Sequence, residues 1–204
     1  MDKDFPLLNV TNLTTTLSTP FGKKNAVSGI SFSVRAGESV GIVGESGSGK
    51  TMTSLSLLNL VPRPAAEVTA GSVFFDGKDL LKMPSRELRS VRGGSLSMIF
   101  QDALSSLNPF YSVGFQIRET LNAHQTLSKS ELNKKVADLL LDVGIPDAKN
   151  RINDYPHQFS GGMRQRILIA MALANSPKLL IADEPTTALD VTIHPALWQA
   201  LWAR

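Results

Sequence analysis

Hydrophobic and polar residues alternate along the beginning of the chain. The alternation runs through residues 7–17 and returns at 31–34, and the breakers Pro20 and Gly22 lie between the two runs. A period of two residues is typical of strands with one buried face, whereas Pro and Gly mark turns. This stretch therefore predicts two strands joined by a turn.

Five shorter segments follow with mixed periodicity. The segments 39–43, 71–76 and 96–100 predict strands, while 51–60 and 85–92 have helical patterns, the latter short and charged. Strands and helices therefore alternate through the first half of the chain.

The second half is mostly helical. A helix is predicted to start within 113–121, and residues 128–143 carry apolar side chains at helical spacing, with Ser128 or Ser130 as the N-cap and Gly144 as the stop. These segments predict a helical lobe.

A helix followed by a short apolar strand comes last among the clear elements. Residues 163–175 follow Ser160 with helical spacing, and the all-apolar run 179–182 predicts a central strand buried on both faces. The order of elements predicts an α/β domain that is interrupted by the helical lobe at about 102–158.

A glycine-rich loop joins the strand predicted at 39–43 to the helix that follows. Residues 44–51 read GESGSGKT and meet the spacing G-x-x-x-x-G-K-[ST] in full. Glycines let successive N–H groups surround an anion, Lys50 can reach the β- and γ-phosphates, and the Thr51 hydroxyl can bind Mg²⁺. The alternative is a Gly/Ser-rich turn without a ligand, but the strand–loop–helix order favours a nucleoside triphosphate site.

Two carboxylates follow the last predicted strand. Asp183 and Glu184 come directly after 179–182, and parallel sheets present ligands at the carboxyl ends of their strands. Asp183 can hold Mg²⁺ through water, and Glu184 can orient or deprotonate the attacking water. The alternative is that the pair merely ends the strand before Pro185.

A second small-residue helix start lies at 160–162. Ser160, Gly161 and Gly162 would leave backbone N–H groups accessible to an anion. Taken alone, a simple N-cap is the preferred interpretation, and Arg164 and Arg166 are more often solvated than bound to phosphate.

Composition narrows the class of protein. The chain has 204 residues, 42% of them hydrophobic, a formal net charge of +3 and no cysteine. The weak, dispersed charge argues against nucleic acid as a partner, and the absence of cysteine excludes disulfides and thiolate metal sites within the chain. With neither a long apolar run nor a signal-peptide pattern, a cytoplasmic protein is expected.

Four segments, taken in order, resemble the motifs of ATP-binding cassette proteins. They are GESGSGKT at 44–51, FQDALSSLNP around Gln101, FSGGMRQR at 159–166 and LLIADEPTTALD at 179–190. The residue sequences of these motifs are most similar to those of the dipeptide and oligopeptide (peptide/nickel) importer ATPases. The resemblance implies an α/β P-loop NTPase, RecA-like, with a parallel-sheet core, an N-terminal antiparallel β-subdomain and an inserted α-helical subdomain. The core would comprise 1–101 and 159–204, and the helical subdomain 102–158.

The resemblance also implies the site residues and the ligands, ATP and Mg²⁺. Glu184, Gln101 and Lys50 would be catalytic. Thr51, Gln101 and Asp183 would bind the metal. The nucleotide would be held by Phe21, Gly44, Glu45, Ser46, Gly47, Ser48, Gly49, Lys50, Thr51, Ser160, Gly161, Gly162 and Asp190, with the Phe21 ring on adenine and the last four reaching ATP across a subunit seam.

The implied partners are those of an importer. They are a second ATP-binding subunit placed head-to-tail, integral membrane permease subunits that would dock in a groove near 102–120, and indirectly a solute-binding protein. The implied location is the cytoplasmic face of the bacterial inner membrane, as a peripheral protein without a nucleic acid partner.

One departure from the family leaves two hypotheses open. The family's switch histidine would fall beyond Arg204, and His194 comes too early to replace it. We therefore expect a C-terminally truncated form, either an ATP-hydrolysing importer subunit with impaired turnover or a hydrolysis-deficient fragment that binds nucleotide or partners. A cassette ATPase that acts on DNA or ribosomes, or a small-molecule kinase, fits the sequence less well.

Overall fold

A computed structural model describes residues 5–100 and 106–183. Within them the strands and helices have the following bounds: β1 Leu8–Thr19, β2 Gly22–Val34, α1 Lys50–Leu57, β3 Ala66–Phe75, β4 Lys78–Asp79, α2 Ser85–Val91, β5 Leu96–Ile99, α3 Val113–Asn122, α4 Lys129–Asp142, α5 Ala148–Arg151, a 3₁₀ helix Pro156–Gln158, α6 Gly161–Leu173 and β6 Leu179–Ala182. The chain divides into two compact units, Met1–Arg89 and Ser90–Arg204.

An antiparallel sheet forms the first unit. Its four strands lie in the order β2-β1-β3-β4, and Leu8 on the central strand β1 is opposite Val34 on one side and Phe75 on the other. The alternation of β1 places Leu8 and Val10 in the core because successive side chains point to opposite faces of the sheet. Leu13 is also buried, because a register shift between Val10 and Leu13 returns its side chain to the same face. The helix α1 is fixed to this sheet by a buried hydrogen bond of 2.7 Å between the hydroxyls of Thr15 and Ser56.

Helices surround a parallel strand pair in the second unit. β5 pairs with β6 from Leu96 opposite Leu179 to Ile99 opposite Ala182. One hydrophobic cluster joins α3, α4 and α6, and its fully buried side chains include Ile117, Leu140 and Ile167. Such a continuous cluster is what organises a domain core.

Most of the predicted elements are confirmed, with small shifts at their ends. Ser128 is the N-cap of α4, and Gly144 follows that helix with a φ of +73°. The helix α6 begins at Gly161, two residues earlier than predicted, because the Ser160 side chain accepts a hydrogen bond from the Met163 N–H and so caps it.

One strand prediction is wrong, and for a second strand only the predicted burial is wrong. Residues 39–43 join neither sheet, and the Val43 side chain is 96% exposed. An apolar run is a strand only if a neighbour completes its hydrogen-bond ladder, and no described strand does so.

The other correction concerns burial. The strand at Leu179–Ala182 is present as β6, but its side chains are only half-buried and Ala182 is exposed. Among the described strands β6 has one neighbour, β5, and a strand paired along one edge is less covered than the predicted central strand.

The predicted division into a core of 1–101 and 159–204 and a helical subdomain of 102–158 stays a prediction. Both α3 and α4 lie within 102–158, and in the structure they share the hydrophobic cluster with α6. In the part of the chain that the structure describes, no helix is long and apolar enough to cross a membrane.

Candidate functional site: the phosphate loop and the signature turn

The glycine-rich loop at 44–51, the phosphate loop, wraps into a cradle before α1. Gly47 and Gly49 have φ values of +80° and +96°, which non-glycine residues adopt only with strain. At Gly49 a Cβ atom would also overlap the backbone oxygen of Ala26 on β2. Both the loop conformation and its close approach to the sheet therefore require glycine.

Lys50 bends back over this loop. Its Nζ donates hydrogen bonds to the carbonyl oxygens of Gly44 at 2.8 Å and Glu45 at 2.9 Å. The loop from Gly44 to Ser48 is exposed to solvent. The ammonium group is thus held above an open cradle, where a phosphate group could replace the carbonyl oxygens as its partner.

The start of α1 is open to an anion. No side chain caps the helix, whose N-cap is Gly49, so its first N–H groups and the positive end of its dipole point into the loop. The Thr51 side chain is exposed on the first turn. The cradle, the uncapped helix and the ammonium group suit a triphosphate.

Phe21 lies in the turn between β1 and β2. Its side chain is fully exposed, and its N–H donates to the Thr19 hydroxyl at 3.2 Å, which itself donates to the Gly22 carbonyl at 2.7 Å. The turn is therefore ordered by its own hydrogen bonds while the ring is uncovered. An uncovered ring is available for stacking on a base, and the adenine role of Phe21 stays a prediction.

Asp183 directly follows β6 and is buried. Its side chain is 5% exposed, its N–H donates to the Ile99 carbonyl at 3.0 Å, and its Oδ2 has no hydrogen-bond partner among the described residues. Buried carboxylate oxygens are almost always paired or bound to a metal. The unpaired oxygen therefore fits the predicted role in binding Mg²⁺, a cation that prefers oxygen ligands.

The signature turn comprises residues 160–162. Ser160 caps α6, and a Cβ on Gly161 or Gly162 would meet no atom within 4 Å. The turn thus offers open space in front of the first N–H groups of a 13-residue helix. This arrangement agrees with a predicted anion site, although a helix start of this kind also occurs without a ligand.

Sequence patterns do not predict the contacts of two arginines near this turn. Arg166 is half-buried on α6, and its Nη1 donates to the carbonyl of Gly144, just after the end of α4, at 3.1 Å. Arg151 has no such pattern either, yet its guanidinium contacts Gln158 and Phe159 before the turn and Met163 after it. No local pattern marks such residues, because their partners lie 7 to 22 positions away in sequence.

The structure places the predicted site residues in two groups. The phosphate loop and Phe21 belong to the first unit, whereas Asp183 and the signature turn belong to the second. Gln101, Glu184 and Asp190 lie outside the described residues. The convergence of these groups on one nucleotide stays a prediction.

Comparison with known proteins identifies the family. The model of the ABC transporter family matches residues 27–187. The chain belongs to this family. The match spans both units and includes the phosphate loop, the signature turn and Asp183.

Curated relatives are close in sequence but longer. The chain is 49% identical over 195 residues to the oligopeptide transport ATP-binding protein OppD of Bacillus subtilis, covering 96% of this chain and 54% of that protein. It is 51% identical over 195 residues to the dipeptide transport ATP-binding protein DppD of Escherichia coli, with 96% and 59% covered. The chain thus spans little more than half the length of these two relatives.

Solved structures confirm the fold class. The chain is similar to the ATP-binding cassette MJ0796, solved as a dimer in a post-hydrolysis state bound to ADP and Pi, with a TM-score of 0.83, 28% identity, and 95% of this chain and 81% of that chain covered. It is also similar to cbiO1 of Clostridium perfringens, part of the ABC transporter complex cbiONQ, with a TM-score of 0.74, 26% identity, and 97% and 73% covered. The fold is therefore the α/β P-loop NTPase fold of ATP-binding cassettes.

Proposed function

We propose that the chain is the ATP-binding and ATP-hydrolysing part of a subunit that powers the import of dipeptides or oligopeptides. The observation that carries the proposal is the cradle at 44–51, with Lys50 held above an uncapped helix start. About half of the aligned residues are identical to those of proteins named for oligopeptide and dipeptide transport, which supports the solute class.

The residues around the phosphates have distinct roles in this proposal. The loop N–H groups and Lys50 bind the β- and γ-phosphates, and Lys50 stabilises the charge that moves to them as the terminal bond breaks. Thr51, Gln101 and Asp183 hold the magnesium ion, which, when bound, neutralises phosphate charge. Glu184 orients the attacking water and accepts its proton.

A second subunit completes the site in this proposal. Ser160, Gly161, Gly162 and Asp190 of one subunit would face the ATP held by the phosphate loop of the other, and Phe21 would stack on the adenine. The dimeric state of the MJ0796 cassette supports this arrangement. ATP then favours the closed dimer and hydrolysis releases it.

The remaining partners belong to the transport step. Permease subunits would dock near 102–120, at the cytoplasmic face of the inner membrane, and a solute-binding protein would deliver the peptide. The relatives' names support a peptide importer rather than a nucleic acid partner. Phosphate release that rises with peptide permease, but not with DNA or RNA, would agree with this assignment.

Steady-state phosphate release tests the central proposal. Lys50→Ala and Glu184→Gln are expected to lower the rate by tenfold to several hundredfold, because each removes a charged group that contacts phosphate or water in the transition state. Lys134→Met is the matched control, since Lys134 is an exposed cation whose ion pair, at 3.4 Å, is with the exposed Asp138; its rate should be unchanged.

Two outcomes would contradict the proposal in different ways. If neither substitution changes the ATPase activity of the parent chain, the proposed site is wrong. A parent that binds ATP but releases no phosphate would favour the hydrolysis-deficient alternative, and equilibrium binding of a fluorescent ATP analogue separates the two.

A further inference from the structure

Arg151 ends the short helix α5 and extends its guanidinium towards the signature turn. Its Nε forms an ion pair of 2.9 Å with Oδ2 of Asp154, and its Nη2 donates to the Gln158 carbonyl at 3.0 Å. Its Nη1 lies 3.8 Å from the Met163 sulfur, and the guanidinium carbon lies 4.1 Å from the centre of the Phe159 ring. One side chain therefore contacts three other side chains and one backbone carbonyl within a short segment.

These contacts flank the signature turn on both sides. Gln158 and Phe159 precede Ser160, and Met163 follows Gly162 on the first turn of α6. Phe159 is 4% exposed, so the ring beneath the guanidinium is a fixed part of the core. Arg151 thus joins the entry and the exit of the turn.

Few side-chain contacts of its own hold the turn in the part of the chain that the structure describes, although the Ser160 carbonyl accepts a helix bond from the Arg164 N–H at 2.9 Å. Gly161 and Gly162 have no side chains, and a Cβ at either position would meet open space. Within residues 5–100 and 106–183, the Ser160 hydroxyl has one hydrogen bond, which it accepts from the Met163 N–H at 3.3 Å. The position of the turn therefore depends on the residues next to it, and Arg151 contacts those residues.

Asp154, the ion-pair partner of Arg151, belongs to a segment that is anchored to α3. The Asp154 carbonyl accepts a hydrogen bond from the Val113 N–H at 2.9 Å, and the Ile152 carbonyl accepts one from the Gly114 N–H at 2.8 Å. A Cβ at Gly114 would overlap Ile152, so α3 approaches this segment as closely as glycine permits. Arg151 therefore connects the signature turn to a firmly held neighbour.

We propose that Arg151 is a positioning residue that holds the turn Ser160–Gly161–Gly162 in the orientation needed to grip ATP presented by a second copy of the subunit. The proposal rests on the proposed function. Its physical basis is that the planar guanidinium makes an ion pair, a carbonyl hydrogen bond and a ring contact at the same time, which the ammonium group of lysine cannot reproduce.

The test separates ATP binding within one subunit from ATP-driven association of two. The full chain carrying Glu184→Gln, which is expected to prevent turnover, is the parent, and sedimentation in saturating Mg-ATP gives the dimer dissociation constant. Adding Arg151→Met should raise this constant by roughly tenfold to a hundredfold, since contacts to a charged group are lost. Arg151→Lys should give a smaller rise, because it keeps the charge beside Asp154.

The second measurement is the affinity of the phosphate loop for nucleotide. A general loss of structure would lower this affinity, whereas the loss of a positioning residue at the signature turn should not. A fluorescent ATP analogue, titrated at protein concentrations where no dimer forms, should bind Arg151→Met as tightly as the parent. Lys134→Met is the matched control, because it removes an exposed cation with one ion pair, to Asp138 at 3.4 Å. It should change neither measurement.

Each outcome is decisive. A parent that binds ATP but does not associate contradicts the shared site of the proposed function. A parent that associates, with Arg151→Met equal to the Lys134→Met control, overturns the role of Arg151, as does an equal loss of nucleotide affinity and association. Should Arg151→Met fail to fold by circular dichroism, Asp154→Asn replaces it, because it keeps the side-chain size; unchanged association in that variant would also overturn the proposal.

Discussion

At the scale of the residue, Asp183 combines burial with an unpaired carboxylate oxygen among the described residues. The side chain is 5% exposed and its Oδ2 has no partner among the described residues. A buried carboxylate without a full set of hydrogen bonds is costly, whereas a bound cation compensates for it. Such unpaired groups concentrate at functional positions, where stability is lost in exchange for binding.

We therefore expect Asp183→Asn to separate stability from activity. The substitution removes the buried charge, so the free energy of unfolding measured in urea without Mg²⁺ should rise by about 1 kcal/mol. ATP hydrolysis should fall by about a hundredfold or more because the carboxylate that would hold the metal ion is lost. Asp138→Asn, at an exposed ion pair, should change neither quantity, and a destabilised Asp183→Asn that is fully active would refute this account.

At the scale of the element, α4 is held at its start by a reciprocal cap. The Ser128 hydroxyl accepts a hydrogen bond from the Glu131 N–H at 3.3 Å, and the Ser128 N–H donates to the Glu131 carboxylate at 2.8 Å. Two backbone donors that the helix leaves unpaired are thereby satisfied. The hydroxyl of Ser128, and then its N–H, lower the pKa of Glu131 below its ordinary value.

This cap predicts a pH-dependent contribution to stability. Since the pKa of Glu131 is lower in the folded state, the interaction stabilises α4 while the carboxylate is ionised, and the contribution is lost as pH falls through the lowered pKa. Ser128→Ala should raise the pKa of Glu131 in a carboxyl NMR titration. It should also weaken the dependence of the unfolding free energy on pH in the acidic range. Ser130→Ala, the other candidate cap in the sequence, should leave both as they are.

The element scale also explains why one predicted strand is absent. Residues 39–43 have the apolar composition of a buried strand, yet they join neither described sheet. A helix such as α4 satisfies its own hydrogen bonds within the segment, whereas a strand needs a partner from elsewhere in the chain. Composition therefore predicts the helices more securely than it predicts this strand.

At the scale of the whole molecule, each compact unit has its own buried side chains. Leu13 and Val73 are fully buried in the first unit, and Ile117, Leu140 and Ile167 in the second. Along α4 the two faces differ sharply, since Leu140 has no exposed area while its neighbour Leu141 is 65% exposed. Burial, and not residue type, should therefore decide the effect of a substitution.

Leu140→Ala and Leu141→Ala form a matched pair that tests this core. Leu140→Ala should lower the free energy of unfolding by about 2–5 kcal/mol, because it leaves a cavity in the cluster of α3, α4 and α6. Leu141→Ala should change it by less than about 0.5 kcal/mol. Denaturant unfolding followed by circular dichroism measures both, and equal effects would show that the cluster is not the core of this unit.

The sequence by itself determined the features whose physical cause is local. The phosphate loop, the caps of α4 and α6 and the period of β1 each depend on residues a few positions apart, so their patterns are visible along the chain. The position of Asp183 was predictable for the same reason, since a carboxylate directly after an apolar strand falls at the carboxyl end of that strand.

Only the tertiary structure decided which distant residues meet. The close approach of Gly49 to Ala26, the contacts of Arg151 around the signature turn and the half-buried state of β6 all depend on partners that folding brings together. A side chain's partners, and the neighbour that completes a strand's ladder, are long-range properties, and the local alternation of polar and apolar residues does not encode them.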